Sequence, residues 1–389
     1  MFKVAYGHTE VVESKDAALD LLKQCKESLG DLSPQGGFLF ASEGYDFAEL
    51  MAYIREQYPD VKLAGCSSFG EISSKMGIGE SSAALMLFAA DKPCMYSGLI
   101  KDLTNNEKQK SFETIKHVLE KTQAKPVLCC LFADGLTSNI SSVVRGLNQY
   151  LGNHALIAGG GACDDWKFQK VYQFCDNEVA SNAASMLIFT DPLKSSVAVR
   201  HGRTPLPLIE KHIVTKSKNN TVYTIDNKPA LDFYRATLGE YATYEAYSLL
   251  IYLDDPEKFP DKYVIRAPFK INKEDGSITF PGDVPEGCLV GISQLSTQEK
   301  TLAAAKECAQ KAMETYPGKK VEAALIFSCA LRKEILGTQT YKELDLIKEQ
   351  LPEGVPLFGY YTFGEVGPYN TGDQIDYYNE TIVIALIGQ

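Results

Sequence analysis

Apolar positions in this 389-residue chain follow two periods that alternate along its length. Short continuous runs at 2–6, 83–88, 94–100, 127–132, 171–174, 184–189, 195–199 and 380–387 predict strands buried on both faces, with helices covering them. Helical spacing appears between the strands. One face holds Leu21, Leu22, Cys25 and Leu29, another Phe47, Leu50, Met51 and Ile54, and a third Phe112, Ile115 and Leu119. Ile140, Val143, Val144 and Leu147 mark the next helix, and Leu344, Ile347 and Leu351 a weaker one. The later half adds a short helix with Ala230, Phe233, Tyr234 and Leu238, then β-rich material broken by Glu274-Asp275-Gly276 and Pro281-Gly282-Asp283, and a helix over 298–316.

Three stretches share one order, strand, loop, helix, strand, each ending in a glycine-marked bend. Leu63-Ala64-Gly65-Cys66-Ser67-Ser68-Phe69-Gly70-Glu71-Ile72 aligns without a gap on Leu357-Phe358-Gly359-Tyr360-Tyr361-Thr362-Phe363-Gly364-Glu365-Val366. The middle stretch ends in Leu156-Ile157-Ala158-Gly159-Gly160-Gly161. Equivalent loops of a repeat lie at equivalent sheet edges, so these bends are where a site is expected. The segment 211–220 is polar and without period, which places a boundary between two domains, 1–215 and 216–389. The expected class is α/β: two related domains with mixed, largely parallel sheets and internal repeats.

Composition narrows the function. A net charge of −11 opposes attraction to nucleic acid or an anionic membrane surface. No apolar run approaches the roughly 20 residues needed to span a bilayer. The ten cysteines include no C-x-x-C, and adjacent Cys129 and Cys130 would point to opposite faces of one strand. That usage suits a reduced cytoplasmic protein, and the first residues read as a strand rather than a signal peptide.

The bends supply the candidate chemistry. Glu71 and Glu365 occupy equivalent loop positions, where they could cap their own turns, meet a ligand or share acid–base work. Asp164 and Asp165 follow the triple glycine, which argues against a phosphate cradle and for a bend that presents a carboxylate. Cys66 and Cys329 end strands without an adjacent histidine, so an inert thiol is expected, with Cys66 able to face a ligand. Among five histidines none has metal-pair spacing. His201 follows a strand inside Val199-Arg200-His201-Gly202-Arg203, as a turn histidine or as a single ligand to iron, with Arg200 and Arg203 able to meet carboxylates. No nucleophile elbow or other catalytic motif occurs, so an enzyme is not expected. One using the acidic loops is the remaining alternative.

Taken in order, these residues resemble the FIST sensory domain family, over about 36–388. The first part shows Ala64-Gly65-Cys66-Ser67-Ser68-Phe69-Gly70-Glu71, Asp134-Gly135-Leu136, Gly159-Gly160-Gly161-Ala162-Cys163-Asp164-Asp165 and His201-Gly202. The second shows Ser328-Cys329-Ala330-Leu331-Arg332, Leu336-Gly337, Phe358 to Glu365 and Asn379-Glu380-Thr381. Cys163 and Arg203 depart from the family pattern, which more usually has glycine and an aromatic there. The resemblance implies a sensor of small ligands such as amino acids. It is similar to a haem-containing branch that senses nitric oxide and regulates a partner histidine kinase. On that reading haem is the cofactor, His201 its iron ligand, and the output is delivered in trans because no output segment is recognisable. A haem-free sensor would instead use Glu71, Glu365, Asp164 and Arg332 for an ammonium and a carboxylate. A homodimer stays open.

Overall fold

The structure is a computed structural model that describes residues 1–120, 122, 124–206, 211–253, 263–369 and 372–389. Each of the three repeats forms a parallel strand pair joined through helix. Gly36–Ala41 pairs with Lys62–Ser67 across helix Phe47–Gln57. Pro126–Ala133 pairs with Leu156–Gly161 across helix Ile140–Leu151. Val321–Cys329 pairs with Leu357–Thr362 across helices Ala330–Leu336 and Thr340–Lys348. The helix starts are written locally: Asp46 and Asn139 precede the first two helices, and their side chains accept from the N–H groups of Glu49 and Ser142.

Every pair then becomes the centre of a six-stranded sheet, flanked on one side by two antiparallel strands. On the other side lies a hairpin sent by a different unit. Glu71–Ser73 and Gly77–Gly79, from the first unit, extend the third sheet beside Leu357–Thr362. Gln173–Cys175 and Glu178–Ala180, from the second, extend the first sheet beside Lys62–Ser67. Glu365–Pro368 and Ile375–Tyr378, from the third, extend the second sheet beside Leu156–Gly161. The exchange closes on itself, so the three units form one cyclic assembly. The fold is mixed α/β, as expected, but parallel pairing is confined to the three repeat pairs among the described residues, and the remaining ladders are antiparallel.

Side-chain alternation splits each sheet between an inner and an outer layer. Phe38, Phe40, Cys130, Phe132, Leu325 and Phe327 point into one shared core together with Phe189, Phe358 and Tyr360. Their neighbours Leu39 and Ala41, Cys129 and Leu131, and Ala324 and Ile326 point outward, each set under its own helices. Cys129 and Cys130 therefore do face opposite ways. Edge-to-face contacts such as Phe40–Phe132, with centroids 5.1 Å apart, knit the inner core. Each fully buried phenylalanine there stabilises the fold by about 2–3 kcal/mol.

The pseudo-threefold relation extends to the backbone. Gly65, Gly159 and Gly359 lie opposite Leu39, Leu131 and Ile326, and a methyl on any of them would collide with that residue's carbonyl oxygen. Ser81, Asn182 and Glu380, each two residues before the alanine or isoleucine of the next inner strand, all take a left-handed φ, of 53°, 52° and 59°.

A fourth sheet, eight-stranded and built of shorter strands, holds the remaining β-rich material, from His212–Lys218 to Leu289–Ile292, around Val214, Val222, Phe280 and Ile292. The segment expected to be an aperiodic linker is thus a strand: His212–Lys218 folds back on Thr221–Ile225 through Asn219 and Asn220. Only one face of it is covered, so Val214 is buried while the lysines remain polar neighbours. Strands on both sides of the expected boundary also share a sheet, since Lys194–His201 pairs with Thr381–Gly388 along its whole length.

Candidate functional site

The bends that end the three parallel pairs meet in a ring of backbone hydrogen bonds. Tyr361 N–H donates to Gly70 O at 3.0 Å, and Cys163 N–H to Ser67 O at 3.0 Å. Gly161 and Phe363 close the third side, with Gly161 N–H to Gly364 O at 2.8 Å and Phe363 N–H to Gly161 O at 3.1 Å. Gly70 and Gly364 turn the chain at φ 99° and 86°, a region open mainly to glycine. The two Phe-Gly-Glu bends, 294 residues apart, are therefore neighbours in space.

Their carboxylates turn inward, each to its own unit. Glu71 is fully buried and accepts from the hydroxyls of Ser68 and Ser82. His8 bonds Ser82 Oγ through Nε2 at 2.9 Å and Ser73 Oγ through Nδ1 at 2.8 Å. Glu365, also fully buried, accepts from Thr362 Oγ1 at 2.5 Å, Thr381 Oγ1 at 2.8 Å and Thr381 N–H at 3.0 Å. Asp164 accepts from the N–H groups of Phe168, Gln169 and Lys170 at 3.0, 2.6 and 3.0 Å, which closes its loop. Asp165 alone of the four is exposed. Strand register puts Gln173 at the third equivalent position: it opposes Cys66 as Glu71 opposes Tyr360 and Glu365 opposes Gly160. The hydroxyl positions of the other units are Ala162 and Ala183 here, and neither atom of the buried Gln173 amide has a partner. Cys66 lies in the shared core, where burial pushes its thiol well up.

Burial raises Glu71 to about 7 and Glu365 to about 8, against an ordinary 4.5. It also lowers His8 and His201 to about 4, from 6.5. The carboxyls bind protons more tightly folded than unfolded, so their contribution is complete at acid pH and is lost as pH rises through 7 and 8. The histidines act oppositely, below 6.5. Between about pH 6.5 and 8 the carboxyl contribution dominates, offset in part by the last titration of the unfolded histidines, and stability is expected to fall by about 1.5 kcal/mol, mostly from Glu365. Thermal denaturation across that range checks this; Glu365→Gln should flatten the slope, and an unchanged slope would contradict it.

Over the ring of bends lies a cluster of aromatic side chains. Trp166 touches both Phe69 and Phe363, at 5.8 and 5.3 Å between centroids, and Phe168 stacks on Phe363 at 5.1 Å. Phe168 also meets Phe269, and these two are 45% and 48% exposed, unusual for phenylalanine. Asp165, Trp166 and Phe168 all have positive φ, of 51°, 63° and 50°. Bulky residues hold that conformation only where surrounding contacts impose it, and such strain gathers at ligand clamps. Lys333 Nζ sits 4.0 Å from the Phe69 ring centre and pairs with Glu80.

His201 stands elsewhere, at the end of Lys194–His201. Its ring lies against Tyr263 and Tyr369, at 5.0 and 5.8 Å. Nδ1 is 3.2 Å from the carbonyl oxygen of Arg203, which can only accept, so Nδ1 carries the proton. Nε2 is then a lone-pair donor, buried and without a partner. Burial, then the charges of Arg200, Arg332 and Arg203, keep the imidazole neutral down to about pH 4. The arginines expected to meet a ligand's carboxylates are engaged by the protein. Arg200 pairs with Glu307 at 2.5 Å and donates to Tyr369 O, and Arg203 pairs with the buried Glu380 and donates to Gln294 O. Arg332 is 1% exposed and bonded to Glu343 at 2.5 Å, with Nη1 unpartnered. These residues thus fall into two places rather than one cleft. Sequence reasoning passed over Lys333, Trp166 and Gln173; for Gln173 the only signal was its offset from the equivalent glutamates, legible once the register is known.

A cleft of about 720 Å³ opens at the other end of the strands, lined by Lys3, Tyr6, Lys320 and Gly354, and it contains none of these residues. Among the described residues no helix is long and apolar enough to cross a membrane, and no group of three or more histidine, cysteine or acidic side chains could hold a metal ion.

The FIST N domain model matches residues 35–228 and the FIST C domain model residues 230–368. An uncharacterized protein of Methanocaldococcus jannaschii is 23% identical over 325 residues, covering 76% of this chain and 60% of that protein. The chain thus spans about 60% of the length of the curated relative it matches. Among solved structures, a chorismatase aligns over 100% of this chain and 98% of its own at 6% identity, with a TM-score of 0.39. A cyanuric acid hydrolase from A. caulinodans aligns over 100% and 99% at 9% identity, with a TM-score of 0.37. FIST domains are small-ligand sensors in signalling. With both of its domain models matched in order over 35–368, the chain belongs to the FIST sensory domain family.

Proposed function

We propose that this protein is a sensor whose ligand-binding group is held by His201, that the group is haem, and that the signal is nitric oxide passed in trans to a histidine kinase. The observation that carries this reading is the state of the imidazole. A histidine that ligates a metal characteristically donates its other N–H to a backbone carbonyl, which fixes tautomer and ring orientation. His201 does so with Arg203, and its Nε2 lone pair is left buried and unpartnered. Haem, when bound, supplies an iron position open to a diatomic gas. Arg200 and Arg203 do not fit as partners of its carboxylates, because Glu307 and Glu380 already occupy them.

The surrounding residues give a displacement of His201 a route to the bends. The Arg203 carbonyl meets His201 and the Tyr263 hydroxyl, and its guanidinium holds Glu380. Glu380 accepts from Ser248 at 2.5 Å and immediately precedes Thr381, which fixes Glu365 two residues after Phe363. Titration of the purified protein with haem tests the reading: a saturable Soret band near one haem per chain, shifted by nitric oxide, is expected. Absence of any band would remove haem and leave a polar metabolite as ligand, a reading that the unpartnered Nη1 of Arg332 supports.

A further inference from the structure

We infer that the aromatic cluster over the ring of bends is a second binding site, for a small organic cation such as a quaternary ammonium or protonated aromatic amine. It is separate from His201 and does not depend on the haem reading. Aromatic faces attract cations through the ring quadrupole, and the cluster already does so internally, with the Lys333 ammonium on the face of Phe69. Trp166, Phe168 and Phe363 present further ring surface, with Phe168 nearly half exposed.

The charge around these rings sets the sign of the ligand. Lys333 is matched by Glu80, and Lys167, beside Trp166, by Glu43. Two further carboxylates adjoin the rings: Asp165, exposed and next in sequence to Trp166, and Glu334, which accepts from the Trp166 indole N–H at 3.2 Å. The net charge of −11 adds long-range attraction for cations. Position agrees as well, since the carboxyl ends of parallel strands are where α/β sheets bind ligands. Mutual ring contacts among Trp166, Phe168 and Phe363 hold the rings before a ligand arrives, which lowers the entropic cost of binding.

Trp166 is the chain's one tryptophan, so intrinsic indole fluorescence reports on this site directly. Titration with benzyltrimethylammonium should give a saturable change in emission, and choline should compete. The uncharged isostere of choline, 3,3-dimethylbutanol, should bind at least tenfold more weakly. Asp165→Asn should weaken the ammonium about tenfold without altering any haem spectrum, which separates this site from His201. Calorimetry on Phe168→Ala, whose half-exposed ring contributes little to the core, should show the same loss. No saturable change at millimolar concentrations, or equal binding of the uncharged isostere, would overturn the inference.

Discussion

Gly359→Ala is expected to cost more than about 3 kcal/mol of stability, and to prevent accumulation of folded protein if stability is ordinary. The added methyl would collide with the carbonyl oxygen of Ile326, an atom fixed in the ladder of the parallel pair. No rotamer change relieves a clash between backbone and Cβ, so two strands would have to separate at the centre of a sheet. Gly65 and Gly159 stand in the same relation to Leu39 and Leu131, and their alanine variants should behave alike. Gly44→Ala, where a Cβ meets nothing within 4 Å, should stay within about 0.5 kcal/mol. Urea unfolding of the four variants checks the pattern; a tolerated Gly359→Ala would contradict the cyclic three-unit packing.

Glu380→Gln should cost about 3 kcal/mol. The ion pair it breaks is almost wholly enclosed, with Arg203 6% and Glu380 2% exposed. The variant keeps an acceptor but leaves the guanidinium charge without a counter-charge in a low-dielectric interior, where loss of one partner is far more costly than loss of both. Arg203→Met combined with Glu380→Gln should therefore recover much of the loss. Chemical denaturation of the single and double variants measures it, and additive losses would show that the pair is not coupled.

Much of this architecture could be read from the chain because continuous apolar runs and helical patterns report directly on which sides of an element are covered. The helix faces at Phe47–Ile54 and Ile140–Leu147 and the opposed Cys129 and Cys130 are of this kind. The hairpin exchange was not legible, since a three-residue strand such as Glu71–Ser73 finds its partner at Phe358–Tyr360, and periodicity carries no record of partners. Strand 212–218 was missed because one covered face and several lysines look like a polar linker. Arg200 and His201 are adjacent in sequence, which suggested one shared ligand. Alternation sends them to opposite faces: Val199 points into the shared core, Ala198 to the outer layer, and Arg200 follows Ala198 to Glu307 on helix Gln298–Glu314. Both glutamates of the bends were found, but not that neighbouring hydroxyls would enclose them.

The most direct measurement is the absorption spectrum of His201→Ala beside wild type after the same haem reconstitution, with circular dichroism to confirm that both are folded. His201 packs between two tyrosines at a strand end and donates a single hydrogen bond, so its truncation should leave the fold intact. The account predicts a Soret band in wild type that is lost or reduced at least tenfold in the folded variant. A folded variant with an undiminished band would contradict the assignment of Nε2 as the point of attachment.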